Sequence, residues 1–496
     1  HYWVGAQSLY GNATKDMVFR FQRVSPMEVS PHDPGVVYYG SQVVHRTRDE
    51  GVTWEVISPD LTWNPPDKLA SYSGGPITVD NTGEEFFSTL YAIRESPVAR
   101  GVIWVGANDG PFHVTRDNGQ SWQNITPPGL ELGGRVQNIE PSPHRAGSAY
   151  YAVLRYQLGD HRPYIYKTDD YGKSWTLLTT GTNGIPADEP TRVVREDPDR
   201  AGLLYAGTEF GMYISFNDGK TWQSFQQNLP NTPITDLKVH KKDLVISTQG
   251  RSFWIMHDIS PLHEMADAVA AAPTHLFTPR EAYRMRYRAG FGGLESARGG
   301  DTDPQYPGAG AVIDYWFASA PSGEGTLEVL DAKGAVVRRF SSLASGEQRV
   351  EPSEPSMRGP MWERIGTPRL PVAAGANRFT WDLSLAGPWD QNAARSGRNG
   401  PTLVPGAYRV RLTSGAWSAT RSLTIKPDPR IVADGVTIPV MQELLDHNIA
   451  VRELVSDLNR FTTDVEDAYR SADGTKKTRI SAARDVPRAA PGSSAR

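Results

Sequence analysis

Four short turns in the first half of the chain place an acid or amide between hydroxyls and beside a glycine. They are Thr47-Arg-Asp49-Glu-Gly51-Val-Thr-Trp54, Thr115-Arg-Asp117-Asn-Gly119-Gln-Ser-Trp122, Thr168-Asp-Asp170-Tyr-Gly172-Lys-Ser-Trp175 and Ser215-Phe-Asn217-Asp-Gly219-Lys-Thr-Trp222. Carboxylates at such regular spacing could act as acids, bases or cation ligands. A local reading accounts for them better. Gly51, Gly119, Gly172 and Gly219 supply the positive φ of a tight β-turn. Asp49, Asp117, Asp170 and Asn217 then accept hydrogen bonds from the backbone N–H groups of that turn. Each Trp opens the next strand and buries a large apolar face.

The chemistry is therefore sought at the other end of the strands. Each turn joins the third and fourth strands of a unit, so the turn between second and third strands points the opposite way. That end carries Gln42, Asn108, Asp109, Asp160, His161, Arg162, Glu209, Gln249 and Arg251. Asp109, Asp160 and Glu209 are the carboxylates available as acid or base for glycoside hydrolysis, which uses a pair of carboxyl groups. Arg162 and Arg251 are too few for the arginine cluster that a sialidase substrate requires. Gly-x-Ser-x-Gly, the phosphate-cradling glycine loop and His-Glu-x-x-His are all absent. The chain also has no cysteine, which excludes disulfides and thiolate chemistry. No cofactor or metal site is expected.

The elements that position these residues repeat with the turns. Lead-ins such as Val29-Ser-Pro-His-Asp-Pro-Gly and Glu196-Asp-Pro-Asp-Arg-Ala-Gly precede each copy, and a fifth, Asp236–Ser247, precedes none. The tryptophans are spaced 68, 53 and 47 residues apart. A four-stranded antiparallel unit of that length is a propeller blade. The sequence predicts an all-β chain: a propeller of about five visible blades over residues 1–262, then a linker with one strand over 263–310. An Ig- or fibronectin-like sandwich over 311–428, an amphipathic helix over 435–470 and a disordered basic tail over 471–496 complete it. A net charge of −4 over 496 residues argues against nucleic-acid binding. No apolar run is long enough for a transmembrane span.

The repeated word is similar to the Asp-box of BNR repeats, found in sialidases, sortilin-type propellers and two-propeller xyloglucanases. The chain resembles most the large bacterial proteins called sortilin-like or "glycosyl hydrolase, BNR repeat". Tyr39-Gly-Ser-Gln, Gly207-Thr-Glu-Phe-Gly, Thr248-Gln-Gly-Arg-Ser-Phe-Trp, Phe277-Thr-Pro-Arg-Glu-Ala-Tyr and Pro405-Gly-Ala-Tyr-Arg-Val carry that resemblance. The resemblance implies a periplasmic or extracellular protein. It also implies several hundred residues before the point matching His1, so a protein partner or a missing N-terminal segment is expected to help close the propeller. Repetition without a catalytic constellation favours an exported protein-binding or scaffolding module, an accessory subunit of a larger assembly. The alternative is a carbohydrate-active glycoside hydrolase using carboxylates on the face opposite the Asp-boxes.

Overall fold

The computed structural model describes residues 17–69, 86–266, 269, 271–285, 310–343, 369–392, 396–397 and 400–476. Of the expected disordered tail, residues 477–496 lie outside them, and Ser471, expected in the tail, ends the long helix. The chain divides into two units, His1–Ile259 and Ser260–Arg496. No described helix is long and apolar enough to cross a membrane.

The first unit is a β-propeller arc of five consecutive antiparallel sheets. Blade 1 is Met27–Val29, Val37–Gly40, Val44–Thr47 and Glu55–Val56. Blade 2 is Leu90–Glu95, Ile103–Ala107, Phe112–Thr115 and Gln123–Asn124. Blade 3 is Arg135–Pro141, Ala149–Leu154, Tyr164–Thr168 and Thr176–Leu177. Blade 4 is Thr191–Glu196, Leu204–Thr208, Met212–Ser215 and Gln223–Ser224. Blade 5 has three strands, Ile234–His240, Asp243–Thr248 and Phe253–Met256.

No blade buries its faces alone, and each core cluster therefore spans two neighbours. Val44 and Ile57 of blade 1 pack with Ile93, Val105 and Trp122 of blade 2. Phe112 and Ile125 of blade 2 meet Tyr151 and Trp175 of blade 3. Ile165 and Leu178 of blade 3 meet Val194, Ala206 and Trp222 of blade 4. Contacts run in order from blade 1 to blade 5, and the described strands of blades 5 and 1 make no comparable contact.

The four repeat turns have one geometry. Gly51, Gly119, Gly172 and Gly219 lie at φ between 80° and 92°, each after a non-glycine residue that is also at positive φ. Two successive left-handed residues form a tight turn inside the seven-residue loop between the third and fourth strands. The Trp residues do more than fill space. Trp122, Trp175 and Trp222 donate from Nε1 to the carbonyls of Ile57, Ile125 and Leu178, one blade back. Trp54, in the first blade, donates instead to Gly51 of its own turn.

The second unit holds two sheets around one core. Ala311–Phe317 lies between Thr274–Leu276 and Gly375–Trp381. The other sheet runs Ala282–Arg284, Trp417–Pro427, Gly406–Ser414, Gly325–Leu330, Val336–Ser341. Ile313, Phe317 and Trp381 of the first meet Leu327, Val410 and Leu423 of the second. Among its described residues, the segment expected to be a linker with one strand contains two short strands, one joining each sheet. Three-residue strands in a Pro- and Arg-rich context show no alternation that a pattern could register. Ala282–Arg284 pairs parallel to Trp417–Pro427, a departure from an all-antiparallel sandwich. The long helix Ile438–Ser471 follows; Thr437 is its N-cap by position, but its hydroxyl caps no N–H.

Candidate functional site

Hydrogen bonds fix which loops share an end of the arc. At one end, Asn118, Tyr171 and Asp218 of the repeat turns donate N–H to Gly101, Gly147 and Gly202 in the first hairpin of the same blade. At the other, Asn108, Glu209 and Gln249 donate N–H to Thr89, Pro190 and Pro233, while Gly133 donates to the Asp109 carbonyl. The second-to-third strand turns thus share a rim with the segments entering each blade.

The repeat-turn carboxylates are consumed by their own turns. Asp117 accepts from the Ser121 N–H at 2.9 Å, the Ser121 hydroxyl at 2.6 Å and the Thr115 hydroxyl at 2.8 Å. Those bonds, the Ser121 hydroxyl foremost, lower its pKa to about 2. Asp49 and Asp170 are held down by the same arrangement. In the fourth copy Asn217 accepts from Thr221 N–H and donates to the Thr221 hydroxyl. A group that is ionised and fully engaged by its own backbone is a poor general acid.

On the opposite rim the turns engage the segments entering the blades. Gln42 is buried and clasps the preceding segment, accepting from Arg20 N–H at 2.9 Å and donating to Val18 at 2.8 Å. Asn108 does likewise with Thr89 and Phe86. Asp109 is fully buried, and its Oδ2 accepts from the Trp63 and Asn64 N–H groups at 3.0 and 3.3 Å. Burial raises its pKa against those bonds and a Ser88 hydroxyl.

Asp160 goes the other way. Arg162 grips both its oxygens at 2.9 Å, Tyr164 donates at 2.7 Å and Arg155 at 3.0 Å. The Arg162 hydrogen bonds, chief among these, hold the carboxyl well below the usual range. His161 beside it is solvent-exposed. Glu209 pairs with Arg192 at 2.7 Å, and Arg192 also reaches Gln249 at 3.5 Å, joining blades 4 and 5. Arg251 is exposed and serves through its backbone, its N–H bonded to Thr248 and its carbonyl to Trp254 Nε1. The nine residues therefore fall into an Asp160–Arg162 cluster, a Glu209–Gln249 pair bridged by Arg192, and separate structural clasps.

A cavity of about 250 Å³ opens on this rim in blade 4. Glu189, Phe210, Tyr213, Gln226 and Asn231 line it. Glu189 Oε2 accepts from the Tyr213 hydroxyl at 2.9 Å and the Thr208 hydroxyl at 3.1 Å, which fixes its orientation. Phe210 is about half exposed. Carboxylate, amides and phenol around an open aromatic face form a site for a ligand with hydroxyl groups and an apolar ring face. Sequence reasoning named Glu209 but missed its neighbour Phe210. It also missed Glu189 and Asn231, which sit on the segments entering blades 4 and 5. The topology that assigns one loop per blade to this rim assigns a second as well, and that was the signal.

No protein-family model matches the chain. Over 172 residues it is 24% identical to the oligoxyloglucan-reducing end-specific xyloglucanase of Emericella nidulans. That match spans 28% of this chain and about a fifth, 21%, of the fungal protein. Among solved structures it is similar to the GH74 xyloglucanase from Xanthomonas campestris, at 16% identity over 52% of this chain and 40% of that one, TM-score 0.36. YCF48 bound to D1 peptide is similar at 15% identity over 53% and 72%, TM-score 0.33.

Proposed function

We propose that the chain is an exported, Asp-box-type propeller protein that recognises carbohydrate on the rim opposite its repeat turns. The observation carrying this is the blade 4 cavity, where Phe210 offers a stacking face and Glu189 and Asn231 offer hydrogen bonds. Its volume admits roughly one sugar ring, at the small end of ligand pockets. The partial likeness to a xyloglucanase supports a carbohydrate ahead of the protein-scaffolding role expected from the sequence.

Titration of oligosaccharides of plant-type β-glucans, including xyloglucan fragments, by calorimetry tests it. Phe210→Ala and Asn231→Ala should each weaken binding about tenfold with unchanged melting, the loss of one stacking or hydrogen-bonding partner. Absence of binding across the panel, or binding indifferent to both variants, would sink the reading.

Hydrolysis is the second reading, and one observation favours it. Asp109 and Asp160 are carboxylates on adjacent blades whose environments push their pKa values apart, as an acid and an ionised partner require. Asp109 is fully buried and Asp160 triply bonded, so recognition comes first. Release of reducing ends that disappears in Asp160→Asn and Asp109→Asn would reverse that order.

A further inference from the structure

The helix Ile438–Ser471 has two apolar faces, and among the described residues only one is covered. Leu445 and Ile449 pack into the sandwich core, and Met441 is buried. Further along, Ser456 accepts from the Trp389 N–H at 3.0 Å, and Asn459 donates to the Trp389 carbonyl at 2.8 Å. The Arg460 guanidinium lies over the Trp389 ring. These residues form the inner face and satisfy the amphipathic character of the helix.

The outer face is a second stripe with a different period. Leu444, Val451, Leu458 and Val465 recur every seven residues. Val440, His447, Leu454 and Phe461 recur every seven residues, each placed three after or four before a member of the first set. This is the a/d pattern of a two-stranded coiled coil, and the inner-face residues fall at the b, c, e and f positions around the far side. The seam faces solvent: Leu454 is 70% and Phe461 63% exposed, and Val440, Leu444, Val451 and Leu458 are each about half exposed. Such a contiguous stripe is uncommon on a monomer. Its side chains offer on the order of 600 Å² per chain, approaching the roughly 800 Å² per partner of a standard interface.

We infer that this seam pairs with the same helix of a second copy of the chain, in parallel and in register. The flanking charges choose the partner and its direction. Glu443, Asp457 and Asp464 occupy g positions, while Asn448, Val455 and Thr462 occupy e positions. A parallel pair sets each acid against a neutral residue of the other chain; an antiparallel pair sets acid against acid. A strict seven-residue repeat over about four heptads matches a left-handed supercoil, which needs a partner helix of the same period. His447 is the one polar seam residue, and a single polar layer fixes register at a cost in stability.

Sedimentation equilibrium of the full chain should give twice its 54.6 kDa mass. Leu454→Glu combined with Phe461→Glu should return the monomer, with far-ultraviolet circular dichroism and the melting of the remaining fold unchanged. His447→Leu should tighten the dimer by roughly tenfold. The chain has no cysteine, so Val440→Cys adds a single thiol. In a parallel, in-register pair it should oxidise to a disulfide-linked dimer, whereas Asp467→Cys, off the seam, should not. A monomeric wild-type mass at all concentrations overturns the inference, as does a dimer untouched by the paired Glu substitutions. A dimer that Val440→Cys fails to cross-link overturns the parallel register.

Discussion

On the repeat-turn rim, the hydroxyls of Thr47, Thr115, Thr168 and Ser215 each accept from the N–H of the glycine four residues on, always at 2.9 Å. On the opposite rim the second-to-third strand turns bond to entering segments instead, Gln42 and Asn108 as clasps and Glu209 and Gln249 through Arg192. The same strands feed both ends, so the difference is not one of scaffold. A turn whose acid or amide, hydroxyls and glycine satisfy one another can be copied from blade to blade, because its own eight residues carry those bonds. A turn that must meet a separate entering segment, as Asp109 meets 63–64 and Glu209 meets Arg192, is set by that segment and diverges with it. Repetition here marks turns built from their own residues, and variety marks turns built against a separate segment.

That contrast breaks first at the tryptophans if it is wrong. Trp222 is buried, packs between blades 3 and 4 and donates to Leu178. Trp222→Ala should lower unfolding free energy by ~3–5 kcal/mol, the range for a large buried aromatic. Trp54, partly exposed and bonded to its own turn, should lose much less. Equilibrium denaturation of the two variants decides it; equal losses would mean that the repeat turns do not act by clamping the preceding blade.

Glycines sharpen the comparison because φ can be matched across rims. Gly172 on the repeat rim has φ 82° and Gly250 on the opposite rim φ 79°. A Cβ on Gly172 would lie 2.5 Å from Ile125 Cβ of blade 2, whereas one on Gly250 meets nothing within 4 Å. Gly250→Ala should cost only the left-handed backbone penalty, ~1 kcal/mol. Gly172→Ala should cost ~2–3 kcal/mol, because backbone strain is joined by a clash between blades. Thermal melts of the pair separate the two contributions.

The repeated turns were legible in the sequence because each is a local object: eight residues carry the glycine, its hydroxyl partner and the Trp. Six sandwich strands and the long helix were legible for the same reason, through period. What pattern could not carry was pairing between distant segments. The Nε1 bonds from Trp122, Trp175 and Trp222 to the previous blade span 44 to 65 residues. Glu189 enters the cavity from a connecting segment that has no repeat. The Asp160 cluster needs Arg155, which sits in an irregular turn before Tyr156–Leu158. The helix shows the intermediate case: its apolar positions read as one stripe, and only burial divides them into an inner face and a heptad seam.

The smallest expected effect falls on Asp109, where the two rims come closest in behaviour: a turn residue bound to backbone N–H groups, but those of a different segment. Unlike Asp117, it is buried, and burial outweighs its hydrogen bonds to leave the pKa raised. The folded value lies above the unfolded carboxylate value of about 3.9. Between the two, the native state holds the proton that the unfolded state releases, so stability falls as pH rises through that window and stays reduced above it. Asparagine keeps an acceptor oxygen for Trp63 and Asn64 and removes the buried charge. Asp109→Asn should therefore raise stability at pH 7 and flatten the slope just above pH 4, with little change at pH 3. Denaturant midpoints across that pH range measure it. Destabilisation at pH 7 would mean that the ionised carboxylate is what holds residues 63–64 in place, and that Asp109 behaves like the repeat-turn acids after all.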